Sequence, residues 1–172
     1  WTSEIIPTSY FELQAFMPER RIKHPLLTVF IEGDGLAWIS RAQPSSNPTP
    51  LDPVSLKLAL AYKHDHAVAY LGCPCQFTQY DARCTQKYWT SHRFSEEVIA
   101  STSEAISVIK NLMGASDVQL YGYSGGGAAF TTTGIKPSAT LVNAGVGYVT
   151  NTGGGLEITA HYDLEVRSGF TT

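Results

Sequence analysis

The sequence predicts an α/β fold: a mostly parallel sheet flanked by helices, followed by a C-terminal antiparallel β-hairpin. Three observations carry this expectation. Apolar runs at 26–32 (LLTVFIE) and 67–72 (AVAYLG) read as buried strands, and 117–123 (DVQLYGY) reads as the next strand. Segments with helical spacing lie between them, which is the order that produces parallel strands joined by crossover helices. After Pro137 the pattern turns to strict apolar/polar alternation, which a strand buried on both faces does not show.

In chain order, residues 10–16 (YFELQAF) read as a short edge strand, and 26–32 as a buried one. The turn GDGLAW follows, and then the loop PSSNPTPLDP at 44–53, whose four prolines exclude regular structure. Asp52 can cap a helix over 53–63 that carries Pro53 in its first turn and Val54, Leu58 and Ala61 on one face. The strand at 67–72 leads into a loop, 73–94, bearing cysteines and aromatics. A helix begins at Ser95 and runs to about Met113, with Val98, Ala105, Ile109 and Leu112 at helical spacing; Gly114 ends it as a left-handed cap. The strand at 117–123 enters a glycine cluster. In the tail, Leu156, Ile158, Ala160, Tyr162, Leu164 and Val166 alternate with Glu157, Thr159, His161, Asp163, Glu165 and Arg167, so one face is apolar and the other wet. The organisation expected is an α/β domain over 1–134 and a hairpin of different character over 135–172.

The composition narrows the functions. With 43% hydrophobic and 16% charged residues the 172-residue chain can build a core, and a net charge of −3 leaves no basic footprint for nucleic acid or an anionic membrane. Small neutral substrates fit this balance. No run of eighteen apolar residues occurs, and the chain begins with Trp1 rather than Met, as a processed chain or a fragment would. Three cysteines, Cys73, Cys75 and Cys84, leave three readings open. They are a local Cys75–Cys84 disulfide, implying an oxidising compartment; a zinc site with His92, against which the Cys-Pro-Cys spacing argues; and three reduced thiols packed as small hydrophobes. No cofactor and no metal are expected.

The chemistry centres on Gly122-Tyr123-Ser124-Gly125-Gly126, a G-x-S-x-G sequence lying after a strand and before a small-residue stretch able to open a helix. In that setting a sharp turn lifts the serine hydroxyl above the sheet edge, and the Gly125 amide points to where an oxyanion forms. The alternative is a glycine turn or phosphate-binding helix start with Ser124 as its cap. A second loop, IEGDGLAW at 31–38, leaves a buried strand with Gly33 and Gly35 and can present amides as the other half of an oxyanion hole.

Taken together, VFIEGDGLAWISRAQPSSNPTPLDPVSLKLALAY, VAYLGCPCQF, YWTSHRFSEEVI and VQLYGYSGGGAAF resemble a group of bacterial α/β-hydrolase-fold proteins, often exported, over about residues 10–130. The resemblance implies Ser124 as nucleophile; Asp34, Gly35 and Gly125 at the oxyanion site; Cys75 and Cys84 as a loop disulfide; and an incomplete version of the fold. In that fold an acid and then a histidine follow the serine, but residues 125–172 contain one histidine, His161, and one aspartate, Asp163, both on the alternating strand. His24, His64, His66 and His92 precede the serine and break that order; His92, beside the aromatic loop, departs from it least. The tail, about 138–172, resembles two strands of an autotransporter β-barrel.

The expected function is a serine hydrolase acting on a small-molecule ester or related acyl bond, exported to the periplasm or cell envelope of a Gram-negative bacterium, and inactive if no acid and histidine reach the serine. The alternative is a non-enzymatic exported or outer-membrane protein whose membrane association runs through the tail. A third reading is a binding module using Trp38, Phe77, Tyr88 and Trp89.

Overall fold

The computed structural model describes residues 1–63, 65–78 and 80–127, and the backbone of three later strands at 139–142, 146–150 and 158–161. The α/β class is borne out as a mixed sheet with two helices among the described residues. Strands β1 (Thr2–Pro7), β2 (Glu12–Met17), β3 (Leu26–Ile31), β6 (Ala67–Leu71), β7 (Asp117–Tyr123) and β9 (Val146–Thr150) form one sheet in the order β1-β2-β6-β3-β7-β9. Between β3 and β6 in sequence lie a small hairpin, β4 (Trp38–Ser40) with β5 (Gln43–Pro44), and helix α1 (Val54–Ala61). Helix α2 (Glu96–Met113) connects β6 to β7.

The three central strands are parallel and the outer ones antiparallel to their neighbours. From β3 the chain passes through α1 to β6 on one side, then through α2 to β7 on the other. Right-handed crossovers in opposite directions put the two helices on opposite faces. Alternation along β3 serves both: Leu27, Val29 and Ile31 join the cluster of Ala105, Ile106, Ile109 and Met113 from α2, whereas Phe30 joins Ala59, Leu56 and Tyr62 from the α1 side. This is why the run reads as continuously apolar rather than alternating.

Several expectations are corrected. The 10–16 segment is not an edge strand, because β1 pairs along its whole length from Thr2↔Met17 to Pro7↔Glu12. The buried face of α1 is Ser55 and Ala59, while Leu58 is exposed; Ser55 fits because its hydroxyl donates to the Ile31 carbonyl at 2.8 Å. Asp52 does not cap that helix but pairs with Lys57. On α2 the buried face runs through Ile106 and Met113 and leaves Leu112 exposed, and Gly114 closes the helix in the left-handed region at φ 67°. Among the described residues the expected C-terminal antiparallel hairpin is replaced by other pairings: β9 pairs antiparallel with β7, and β10 (Ile158–His161) pairs in parallel with β8 (Ala139–Val142). The remainder of the alternating segment lies outside the described residues.

A disulfide joins Cys75 to Cys84, leaving Cys73 as the free thiol, so neither the zinc reading nor the fully reduced one holds. The bridged loop docks on β2 through Asp81, whose carboxylate accepts the Glu12 amide at 3.0 Å, and through Thr78, whose hydroxyl donates to the Glu12 carbonyl at 3.0 Å. Replacing both bridged cysteines by alanine is expected to lower stability by about 2–3 kcal/mol, the loop-closure entropy of so short a ring. Reduction of the unaltered protein is expected to lower the thermal midpoint equally, as followed by circular dichroism; an unchanged midpoint in both would show the bridge to be dispensable.

Candidate functional site

Parallel register brings three loops to one edge. Ile31, Leu71 and Gly122 are level at the carboxyl ends of β3, β6 and β7. Gly33, Cys73 and Ser124 follow two residues later on their respective chains. Crevices beyond the carboxyl ends of parallel strands are where open α/β sheets place ligands.

Ser124 sits between the last residue of β7 and a helical turn at 125–127, is exposed, and adopts φ 51°. A left-handed backbone at a non-glycine residue costs about 1–2 kcal/mol and persists only where the surroundings impose it. Those surroundings are two close approaches between chains. A side chain at Gly126 would overlap the carbonyl oxygen of Glu32, and one at Gly33 would come within 2.9 Å of the Tyr123 carbonyl oxygen and 3.2 Å of the Ser124 β-carbon. The turn closes with the Gly127 amide donating to the Ser124 carbonyl at 3.0 Å.

The loop after β3 is held from both sides. Gly35 takes φ 60° with its Cα packed against the Pro48 carbonyl, and the Leu36 amide donates to that same carbonyl at 3.0 Å. From the disulfide loop, buried Gln76 donates through Nε2 to the Gly33 carbonyl at 2.7 Å and accepts the Cys73 amide on Oε1 at 3.0 Å. Asp34 then lays its carboxylate directly over Gly125, and Arg93, from the segment before α2, donates to Asp34 Oδ2 at 2.7 Å. Ser124, Gly125, Asp34 and Gly35, singled out from the sequence, are thus brought to one place. Gln76 and Arg93 were not foreseen; no local pattern marks them.

Beneath the turn lies Glu32, buried at 2% exposure. Burial raises its carboxyl pKa, against the opposing pull of the Gly33, Ser55 and Leu56 amides and the Tyr70 hydroxyl. Ser55 and Leu56 belong to the first turn of α1, so a carboxylate from β3 replaces the missing local cap. Burial, with Glu32 adding to it, also pushes the Tyr70 hydroxyl far up, keeping it a donor to Glu32 Oε2 at 3.3 Å. Cys73 is held as a neutral thiol by burial and by Asp34 and Glu32, and donates to the Glu32 carbonyl at 3.1 Å.

The histidines stand otherwise. His24 and His66 lie with ring centroids 5.6 Å apart and planes tilted by 39° at the amino ends of β3 and β6, with the Thr28 hydroxyl 2.8 Å from His66 Nε2. β3 alone spans roughly 17 Å from that end to the serine edge. His92 bonds the Ser91 hydroxyl at 2.8 Å. His161 lies on β10, with nothing of its side chain described; His64 and Asp163 lie outside the described residues. Among the described residues no imidazole hydrogen-bonds Ser124. The aromatic platform is corrected: Trp89 is buried and donates to the Ser45 carbonyl, Tyr88 packs edge-on against Phe11, and Phe77 against Phe16, which leaves only Trp38 of the four exposed.

No family model, curated protein or solved structure matches the chain. Among the described residues no helix is long and apolar enough to cross a membrane.

Two outcomes test this geometry. Gly126→Ala is expected to cost about 2–3 kcal/mol, because the added methyl meets fixed backbone. Gly125→Ala meets only the rotatable Asp34 carboxylate and is expected to cost about 1 kcal/mol or less. Urea denaturation of both variants checks the contrast, and equal losses would reject the described approach. For Glu32 the sign is set by its raised folded-state pKa. The folded form binds the proton more tightly, so stability falls as pH rises from the ordinary 4.5 through the raised value. Glu32→Gln is expected to flatten that limb in denaturation midpoints measured across pH 4–8; an identical slope in the variant would assign the limb elsewhere.

Proposed function

We propose that this chain is a serine hydrolase of the α/β-hydrolase type acting on an ester or related acyl bond through an acyl-enzyme. The observation that carries the reading is an exposed serine in a left-handed strand-to-helix turn, φ 51°, with a neighbouring glycine loop pressed against it. A sharp, strained strand-to-helix turn is the setting in which a G-x-S-x-G serine is presented as a nucleophile.

In this reading Ser124 Oγ attacks the acyl carbonyl carbon, and the oxygen that becomes negative is met by the Gly125 amide and the amides of the 34–35 loop. The hydroxyl proton passes to a base as the carbon–oxygen bond forms. Collapse of the tetrahedral adduct expels the alcohol, and water then cleaves the acyl-enzyme. Arg93 has a defined part: an unpaired Asp34 carboxylate would repel the oxyanion, and the guanidinium at 2.7 Å offsets that charge. The Cys75–Cys84 bridge supports an oxidising location, and we place the protein in the periplasm or cell envelope.

Covalent labelling by a fluorophosphonate probe is expected for the unaltered chain and not for Ser124→Ala; absence of labelling in the unaltered chain would overturn the reading. Ser124→Gly is expected to be stabilised by about 1 kcal/mol while losing the label, since glycine accepts the left-handed backbone. The pH profile of labelling reports the base. A plateau above about pH 7 signals an imidazole, whereas a tenfold rise per pH unit through pH 9 signals hydroxide acting alone.

A further inference from the structure

Two cavities are bounded by residues flanking Ser124, and they differ in kind. One, about 30 Å³, is the more enclosed and is bounded by Asp34, Gly125, Cys73, Phe94 and Val98. The other, about 360 Å³, opens to solvent and is bounded by Gly35, Leu36, Leu51, Val54 and Tyr123. Gly125 and Asp34 face the first, while Tyr123 and Gly35 face the second. Ser124 lines neither cavity but lies in sequence between Tyr123, which bounds the open one, and Gly125, which bounds the enclosed one.

A carbonyl carbon bonded to Ser124 Oγ, with its oxygen turned to the amides, directs its two remaining substituents apart. The alcohol must depart and water must enter by the same route, which requires the open side. The acyl group stays through both half-reactions and can occupy the closed side. A cavity of that size holds about two water-sized groups. A methyl or an ethyl fits; a longer chain would have to displace Phe94 or Val98. On the open side Leu36, Leu51 and Val54 present apolar surface.

Building on the hydrolase reading, we propose that the substrates are esters of two- or three-carbon acyl groups with larger, apolar alcohols. The discrimination rests on the enclosed cavity beside Gly125. One methylene in such a pocket is worth about 10- to 200-fold in specificity.

The test is a series of p-nitrophenyl esters, acetate through octanoate, with the unaltered chain, Phe94→Ala and Val98→Ala. For the unaltered chain kcat/KM is expected to fall at least tenfold between propionate and hexanoate, and either variant is expected to move the optimum toward butyrate or hexanoate. Equal or faster cleavage of hexanoate and octanoate by the unaltered chain would overturn the proposal. So would an unmoved profile in both variants when circular dichroism shows them folded. Fluorophosphonate labelling of Ser124 run in parallel separates the two readings. Labelling with the wrong chain-length profile rejects the acyl assignment alone, whereas no labelling and no ester cleaved rejects both.

Discussion

The carboxyl ends of β3 and β7 approach so closely that backbone meets backbone, and most of the site follows from that approach. Gly126 lies against the carbonyls of Ile31 and Glu32, and Gly33 lies against the carbonyl of Tyr123. No side chain can be accommodated at either glycine without moving main chain, which is why residues on both strands give up a Cβ at neighbouring heights. Between these contacts the chain has to reverse within one residue. Ser124 takes that reversal and with it the left-handed conformation, so its exposure follows from crowding on either side of it.

Glu32 connects this crowding to the rest of the domain. Its carbonyl is the surface that Gly126 rests on and the acceptor for the Cys73 thiol, while its carboxylate takes the first amides of α1. One buried residue thereby fixes the serine turn, the end of β6 and the start of a helix on one face of the sheet. A charged group at 2% exposure is tolerable only where hydrogen bonds surround it, and here three amides and the Tyr70 hydroxyl do so. Tyr70 in turn is packed against Phe16 and Phe77.

What could be read from the sequence was what depends on neighbours in the chain. The runs at 26–31 and 67–71 are buried along nearly their whole length, 117–123 buries alternate residues, and all three announce themselves as strands, while Gly114 ends α2 because a single residue must turn left-handed there. The strand-then-glycines grammar around Ser124 is equally local. Features set by distant partners were not legible. β1 carries one buried side chain, Ile6, and so has no apolar face to betray it. Ser55 was passed over as a core residue because its hydroxyl finds the Ile31 carbonyl, and Asp52 was chosen as a cap because Glu32 is twenty positions away. The tail was assigned a hairpin from its alternation, which fixes faces but not partners; β9 found β7 instead.

The placement of Asp34 shows how the site's charge depends on residues that sequence patterns do not mark. In the proposed reading, a carboxylate lying over Gly125 is at first sight the wrong group beside an amide that would meet a developing negative charge. Two unit charges about 4 Å apart interact by about 4 kcal/mol at a typical effective dielectric. Arg93 removes most of that penalty, and in doing so it spans from the segment before α2 to the loop after β3. Gln76 makes the companion link from the bridged loop after β6 to the Gly33 carbonyl. The loop after β3 is therefore tied twice to the long segment between β6 and α2, one tie ionic and one neutral. A tie of either kind alone would leave the 33–35 segment free to pivot about Gly35, whose Cα is wedged on the Pro48 carbonyl. With both in place its amides are held relative to the serine before any substrate arrives, which is the condition under which backbone dipoles stabilise a transient charge without first having to reorganise.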